Sequence, residues 1–285
     1  MQHTDLSQKA MLVKLSISQW SARKHDKGAS AEVQANHGAA ADSGRYSKNL
    51  LSKLATKPIQ TAANTARTFS YSNTLPWNDS GFRILPSANF LRYSDGMRVH
   101  QQEFESCVNV FLNDYHIFRS NAEYDLGSLF NPQDYPDDAK ISGLFAFETE
   151  IQPMPSAADF RVTLNQDDAD RIKSQIENKV NANIEAATND LWRRLYDATA
   201  HMASKLSDSD SIFRDSLVSN LCELCDLLPA LNLTDDPKLE EMRREIESRL
   251  CNFEPDALRK NPVERATAAK EADEIATLMA AYMGN

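Results

Sequence analysis

Cys222 and Cys225, with two residues between them in "NLCELCDLL", are the residues whose type and spacing most directly suggest chemistry. A structural zinc wants four ligands, usually from two such pairs. Only His201 and Cys251 stand within reach along the chain to complete a set, each on a different predicted helix. Leu221, Cys222, Cys225, Leu228 and Leu231 also fall on one helical apolar stripe, where a free thiol behaves as a small hydrophobe. The expectation is therefore packing rather than metal or redox work. A second cluster, Asp134, Asp137 and Asp138 in "LFNPQDYPDD", has the charge for a divalent cation. It lacks the glycine and the closing glutamate of a calcium-binding loop, so a solvated turn is expected. Glu148 and Glu150 share one face of an alternating strand and form a candidate acid–base pair. A solvent-facing edge explains them equally well. The six histidines (His3, His25, His37, His100, His116 and His201) show no HxxxH or HxH spacing. With only 8 glycines and no GxxxxGK[ST], GxGxxG or GxSxG, the chain lacks the usual phosphate cradles and nucleophile elbow. No catalytic, cofactor-binding or metal-binding residue is assigned, and no cofactor is expected.

The elements that must carry these residues follow from periodicity. "MLVKLSIS" (11–18) alternates Val13, Leu15 and Ile17 against polar neighbours, which predicts a half-buried strand. Residues 28–44 are small and polar, a weak helix or a loop. A helical pattern from Ser47 to Tyr71 is broken at Pro58, with Leu50, Leu51 and Leu54 before the break and Ala63, Ala66 and Phe69 after it. In "TLPWNDSGFRILP" (74–86), Trp77 stands before the turn chemistry of "NDSG" and an extended run that Pro86 closes. No nucleophile or ligand cluster accompanies it, so Trp77 is read as the plug of a helix–turn–strand corner. Residues 97–125 place Phe104, Val108, Phe111, Tyr115, Phe118 and Ala122 at spacings of 4, 3, 4, 3, 4, a narrow 3.5-residue seam. Such a seam suits another helix of the same chain or of a partner chain, the internal contact being commoner. Strands are expected at 82–85, 144–151 and 160–164, the last two as an antiparallel pair. After residue 165 the chain turns helical: one helix of about ten turns over 167–206, then helices over 209–228, 237–251 and 262–283. Four helices joined by short turns favour an antiparallel bundle or arm.

Charge is divided along the chain. Residues 1–80 carry 10 Lys and Arg against 5 Asp and Glu, whereas the whole chain has a formal charge of −10. Nucleic-acid binding needs clustered cations. Only the N-terminal quarter offers a positive balance, through residues such as Lys14, Arg23, Lys24, Lys27, Arg45, Lys48, Lys53, Lys57 and Arg67, and they are scattered. Four cysteines do not make a disulfide framework. No run approaches the ~18–20 apolar residues that span a bilayer, and the first residues do not read as a secretory signal, so a cytoplasmic protein away from membranes is expected.

The order of several segments carries a resemblance. "LPWNDSGFRILP", "VNVFLNDY", "LGSLFNPQDYP", "FAFETEIQPMPSAADFRV", "DLWRRLYDATAHMASKL" and "IFRDSLVSNLCELCDLLPALNLTDDPKLEEM" together resemble a family of uncharacterised proteins from tailed bacteriophages and their hosts. Such proteins look to be encoded close to a MoxR-type AAA+ ATPase and a von Willebrand factor A domain protein. The resemblance runs from about residue 45 onward and carries no site residues. It implies a phage-encoded accessory protein in the host cytoplasm, a partner or client of a ring ATPase. The expected fold is α+β and predominantly α-helical, with a small antiparallel sheet region (1–165) followed by a long-helix bundle or arm (166–285). The expected function is a non-enzymatic adaptor that binds a protein partner, with self-association also open. The alternatives are a nucleic-acid accessory protein using the basic N-terminal quarter, and a metal-dependent enzyme using Asp134, Asp137, Asp138, Glu148 and Glu150.

Overall fold

A computed structural model describes residues 6–157 and 165–283 of the chain. The fold is α+β and predominantly helical. In chain order, a single turn α1 (Leu6–Lys9) leads into β1 (Ala10–Ser18), β2 (Arg23–His25), α2 (Lys27–Asn36) and β3 (Ser47–Asn49). Then come α3 (Lys53–Ser72), the short strands β4 (Leu75–Pro76) and β5 (Arg83–Pro86), and the long helix α4 (Phe90–Leu126). After α5 (Asp138–Ser142) and β6 (Ala146–Pro153) the chain is helical: α6 (Gln166–Ser207), α7 (Ser216–Leu231), α8 (Pro237–Arg249), α9 (Pro255–Lys260) and α10 (Pro262–Met283). One sheet runs in the order β4-β5-β1-β6, with β1 antiparallel to β5 from Ala10↔Pro86 to Val13↔Arg83. A second, two-stranded sheet pairs β2 with β3. The strand expected at 160–164 lies outside the described residues.

The chain divides into two compact units that are not consecutive in sequence. One comprises Met1–Lys14, Tyr71–Tyr93 and Ile151–Asn285; the other comprises Leu15–Ser70 and Ser94–Glu150. The compositional change at 165/166 coincides with the start of α6, while the units divide at 14/15, 70/71, 93/94 and 150/151.

In the first unit, the strands contribute Leu12, Leu75 and Ile84 to the same apolar core as Leu191, Leu195 and Met202 of α6, Leu221 and Leu228 of α7, and Ile275 and Met279 of α10. Helix α6 begins as its sequence suggests: Asn165 caps it through Oδ1 on the Asp168 N–H (2.8 Å), with Asp167 and Asp168 in the first turn. Its other end is closed by Arg265 of α10. The Arg265 guanidinium donates to the carbonyls of Leu206 (3.0 Å), Lys205 (3.1 Å) and Ser211 (3.0 Å), and also to that of Asp208. A cation there satisfies orphan carbonyls and suits the negative end of the helix. The end of α3 is handled alike: Arg194 donates to the carbonyls of Ser72 (3.1 Å) and Thr74 (2.8 Å), and Arg83 to Thr74 Oγ1 (2.6 Å). Trp192 of α6 donates its indole N–H to Asp236 (3.0 Å), the cap of α8.

Trp77 is buried in this core, as its position predicts. Its corner differs in one respect. A two-residue strand stands between the helix and the turn, so β4 and β5 form a hairpin with Leu75 opposite Ile84. Gly81, at φ +87°, supplies the left-handed residue of the turn.

The second unit is built on the predicted seam. Phe104, Val108, Phe111, Tyr115 and Ala122 of α4 are buried against Leu50, Leu51, Ile59, Ala62 and Ala63. The expected break at Pro58 does not occur. Pro58 is only the sixth residue of α3, where its missing N–H forfeits a single bond near the helix start. Leu50 and Leu51 pack from the segment before α3 rather than from a helix. Residues 28–44 include the true helix α2, capped by Asp26, which accepts from the Ala29 N–H at 3.0 Å.

Candidate docking groove

The residues singled out for chemistry prove to be engaged in structure. Asp134 lies against Lys48, Oδ2 to Nζ 2.9 Å, and Lys48 also reaches Asp26 (2.9 Å) and the Leu129 carbonyl (2.6 Å). Lys48 is 4% exposed, so Asp134 is the partner of a buried ammonium. Lys24 lies 3.5 Å from the same carboxylate. Burial would depress the Lys48 ammonium, but its hydrogen bonds to Asp134 and Asp26 outweigh that and hold it above its ordinary value. Asp137 caps α5, accepting from the Lys140 N–H and ammonium at 2.8 Å each, and these bonds hold its carboxyl below the usual range. Asp138 sits in the first turn of α5, where a carboxylate suits the helix end. Asp134 thus serves the Lys48 cluster, while Asp137 and Asp138 both serve the start of α5. Glu148 and Glu150 are both exposed on β6.

The cysteine expectation needs correcting. Cys222 of α7 is disulfide-bonded to Cys251, just past α8, with Cα atoms 5.6 Å apart. The stripe reading holds for Cys225, which is buried and whose thiol is pushed by burial to about 12, far from reactive. Spacing could not distinguish the two, because the partner of Cys222 lies 29 residues on. His201 is exposed on α6. Among the described residues, no group of three or more His, Cys, Asp or Glu is placed to hold a metal ion, and no helix is long and apolar enough to cross a membrane.

One arrangement invites a nucleophile reading: His25 Nε2 lies 3.1 Å from Ser30 Oγ. The hydroxyl, however, donates to the Asp26 carbonyl (2.6 Å) and accepts from the Tyr46 N–H (2.9 Å). With its proton committed to a carbonyl, Ser30 takes the imidazole as a donor. A serine activated by a base needs the opposite polarity.

What stands open is a groove between α3 and α4, wholly within the second unit. The two helices run antiparallel. Phe69, near the end of α3, packs on His100 at 4.9 Å between ring centroids, and Pro58, near its start, faces Cys107 farther along α4. Gly96 permits the close approach, because a Cβ there would collide with the Phe69 ring. Toward the start of α3, space opens between the two helices. Leu54, Lys57, Pro58 and Thr61 form one wall of a cavity of about 440 Å³, and His100, Glu103 and Cys107 form the other. It adjoins a second space of about 470 Å³ that shares Leu54, Pro58 and Cys107 and extends to Val110, Phe118 and Asn121. Leu54 is 75% exposed and Val110 60% exposed beside it. The α3 sequence contains Lys53 and Lys57 but no acid, so its wall is basic.

The sequence held a signal for this groove in a second set of α4 positions, one residue out of phase with the buried seam. Glu103, Cys107, Val110, Asp114, Ile117, Asn121 and Tyr124 also repeat at 4, 3, 4, 3, 4, 3. Val110, Ile117 and Tyr124 within it are exposed. No family model matches the chain, and no curated protein or solved structure is found similar to it.

Proposed function

We propose that this chain is a non-enzymatic adaptor that works by protein–protein contact, seating apolar helical side chains of a partner in the groove between α3 and α4. The observation that carries the reading is the exposure of Leu54 and Val110 beside an open, apolar groove, since single exposed leucines are ordinary but a lined groove marks recognition. The family resemblance supplies the partner class: a ring-forming AAA+ ATPase or its von Willebrand factor A companion, met in the cytoplasm of an infected host. In a reducing cytosol Cys222 and Cys251 would stand as neighbouring thiols.

The nucleic-acid alternative is weakened by where the cations go. Lys48 is buried with two carboxylates, Lys24 lies against Asp134, Arg67 donates to the Ile17 carbonyl (3.2 Å), and Lys14 lies over the Phe82 ring (5.5 Å). Co-purification with the ATPase and the von Willebrand factor A protein tests the adaptor reading. Wild type should retain one of them and Val110→Asp should lose it. Equal retention by the variant would remove the groove from the function.

A further inference from the structure

We infer that the first unit holds a binding site for a phosphate dianion, made by Arg83 of β5 together with Arg193 and Arg194 of α6. The site is independent of the docking groove and of the partner assigned to it. Two acceptors gather the three cations. Arg83 and Arg194 each donate an Nη2 N–H to the Thr74 carbonyl, at 3.1 and 2.8 Å, so their guanidiniums meet at a single oxygen. Arg194 Nε lies 2.7 Å from Asp190 Oδ2, and Arg193 Nη2 lies 2.6 Å from Oδ1 of the same carboxylate. Among the described residues, three positive charges thus share one negative charge, in a chain that is acidic as a whole. Burial, and then the Arg194 charge, hold Arg83 below its ordinary value, ahead of what Asp190 returns. Arg194 is held down as well, by burial first, and Asp190 does not make good the loss. An anion at this point would stabilise both. A carboxylate carries a single charge, whereas a phosphate monoester carries about −1.5 to −2 at neutral pH, which matches the excess. Guanidinium forks also suit the oxygens of phosphate. Donors remain for them: among the described residues, Arg83 Nη1 and Arg193 Nη1 have no hydrogen-bond partner. The Arg193 side chain is 64% exposed and that of Arg194 20%, so solvent reaches the cluster. Arg83 is held by Thr74 and by the Tyr71 ring beneath it (4.7 Å), which leaves it little freedom to lose on binding.

Isothermal titration calorimetry of the full chain at fixed ionic strength tests it, with inorganic phosphate and a short phosphoserine peptide as probes and acetate as the control anion. Wild type should bind phosphate with a dissociation constant of about 1 mM or tighter, and acetate far more weakly. Arg193 holds no backbone group, so Arg193→Gln should keep the fold, checked by circular dichroism, and weaken phosphate binding about threefold. Replacing Arg83 and Arg194 together by lysine keeps the charge and removes the forks, and should weaken it about tenfold. Should that double variant fail to fold, Arg193→Gln and a fourth variant still decide. Asp190→Asn removes the competing carboxylate and should tighten phosphate binding about threefold, a gain that misfolding does not imitate. A wild type that binds no phosphate, acetate bound as tightly as phosphate, or an Asp190→Asn variant that binds phosphate no better would overturn the site. Tighter binding of the phosphoserine peptide names a phosphorylated side chain as the source of the dianion; tighter binding of inorganic phosphate names the free ion.

Discussion

Lys48 answers, from a nearly solvent-free position, to two carboxylates and a carbonyl drawn from two separate segments of the second unit, the start of α2 and the loop 129–134. Removing the cation strands Asp26 and Asp134, and the loss from breaking a buried pair exceeds what the pair contributes. Lys48→Met should therefore lower the thermal midpoint far more than Lys24→Met, whose ammonium is half-exposed. The pH dependence has a definite sign. The Ala29 N–H and then Lys48 hold the Asp26 carboxyl below its ordinary value. A depressed carboxyl contributes stability that is present above its unfolded value and lost as pH falls through the folded one. Asp26→Asn keeps the capping oxygen and removes only the charge. The stability gap between it and wild type should be open at neutral pH and close as pH drops below about 4; a gap that persists in acid would refute the charge role. In the first unit, Trp77 is 8% exposed within the core. Trp77→Ala should cost about 3–5 kcal/mol, read from urea midpoints.

At the scale of elements, the seating of the Phe69 ring of α3 against Gly96 of α4 makes an unusual prediction. Alanine is normally about 1 kcal/mol better than glycine inside a helix. At position 96 the Cβ meets the Phe69 ring, so Gly96→Ala should destabilise by about 1–3 kcal/mol instead. A stabilised variant would show that the Phe69 ring swings aside easily. The Cys222–Cys251 bond ties α7 to the end of α8 across 29 residues, and reducing it should cost roughly 3–4 kcal/mol by chain entropy. Urea midpoints with and without reductant check this, and Cys225→Ala should leave the difference intact. Most of these elements were legible in sequence because their signals are local. The Phe104-to-Ala122 seam, the Asp-rich start of α6 and the proline-led start of α10 can all be read from neighbours a few residues apart. Two elements are harder to read, for different physical reasons. Pro58 reads as a break by residue type although it sits in the tolerant first turns of α3, and the six-residue helix α9 is too short to show a period. The disulfide, the Lys48 cluster and the groove depend on residues far apart in the chain, which periodicity does not see.

For the whole molecule, Leu12, Leu75, Trp77 and Ile84 share a core with helices that begin 80 or more residues later. A fragment of residues 166–285 would leave that core without its strands. It should melt broadly and bind a hydrophobic dye, where the full chain melts in a sharp transition. A cooperative melt of the fragment would show the helices to be self-sufficient.

The interleaving of the two units also sets an order of events during synthesis. Every residue of the second unit has left the ribosome once Glu150 emerges, so that unit can close while translation continues. The first unit cannot. Its strand residues Leu12 and Ile84 wait for α10, whose last described residue lies 133 positions beyond Glu150. At elongation speeds of about 5–20 residues per second that wait is on the order of ten seconds. Through it the apolar strand residues lack the helices that cover them, a natural handhold for a chaperone on the nascent chain.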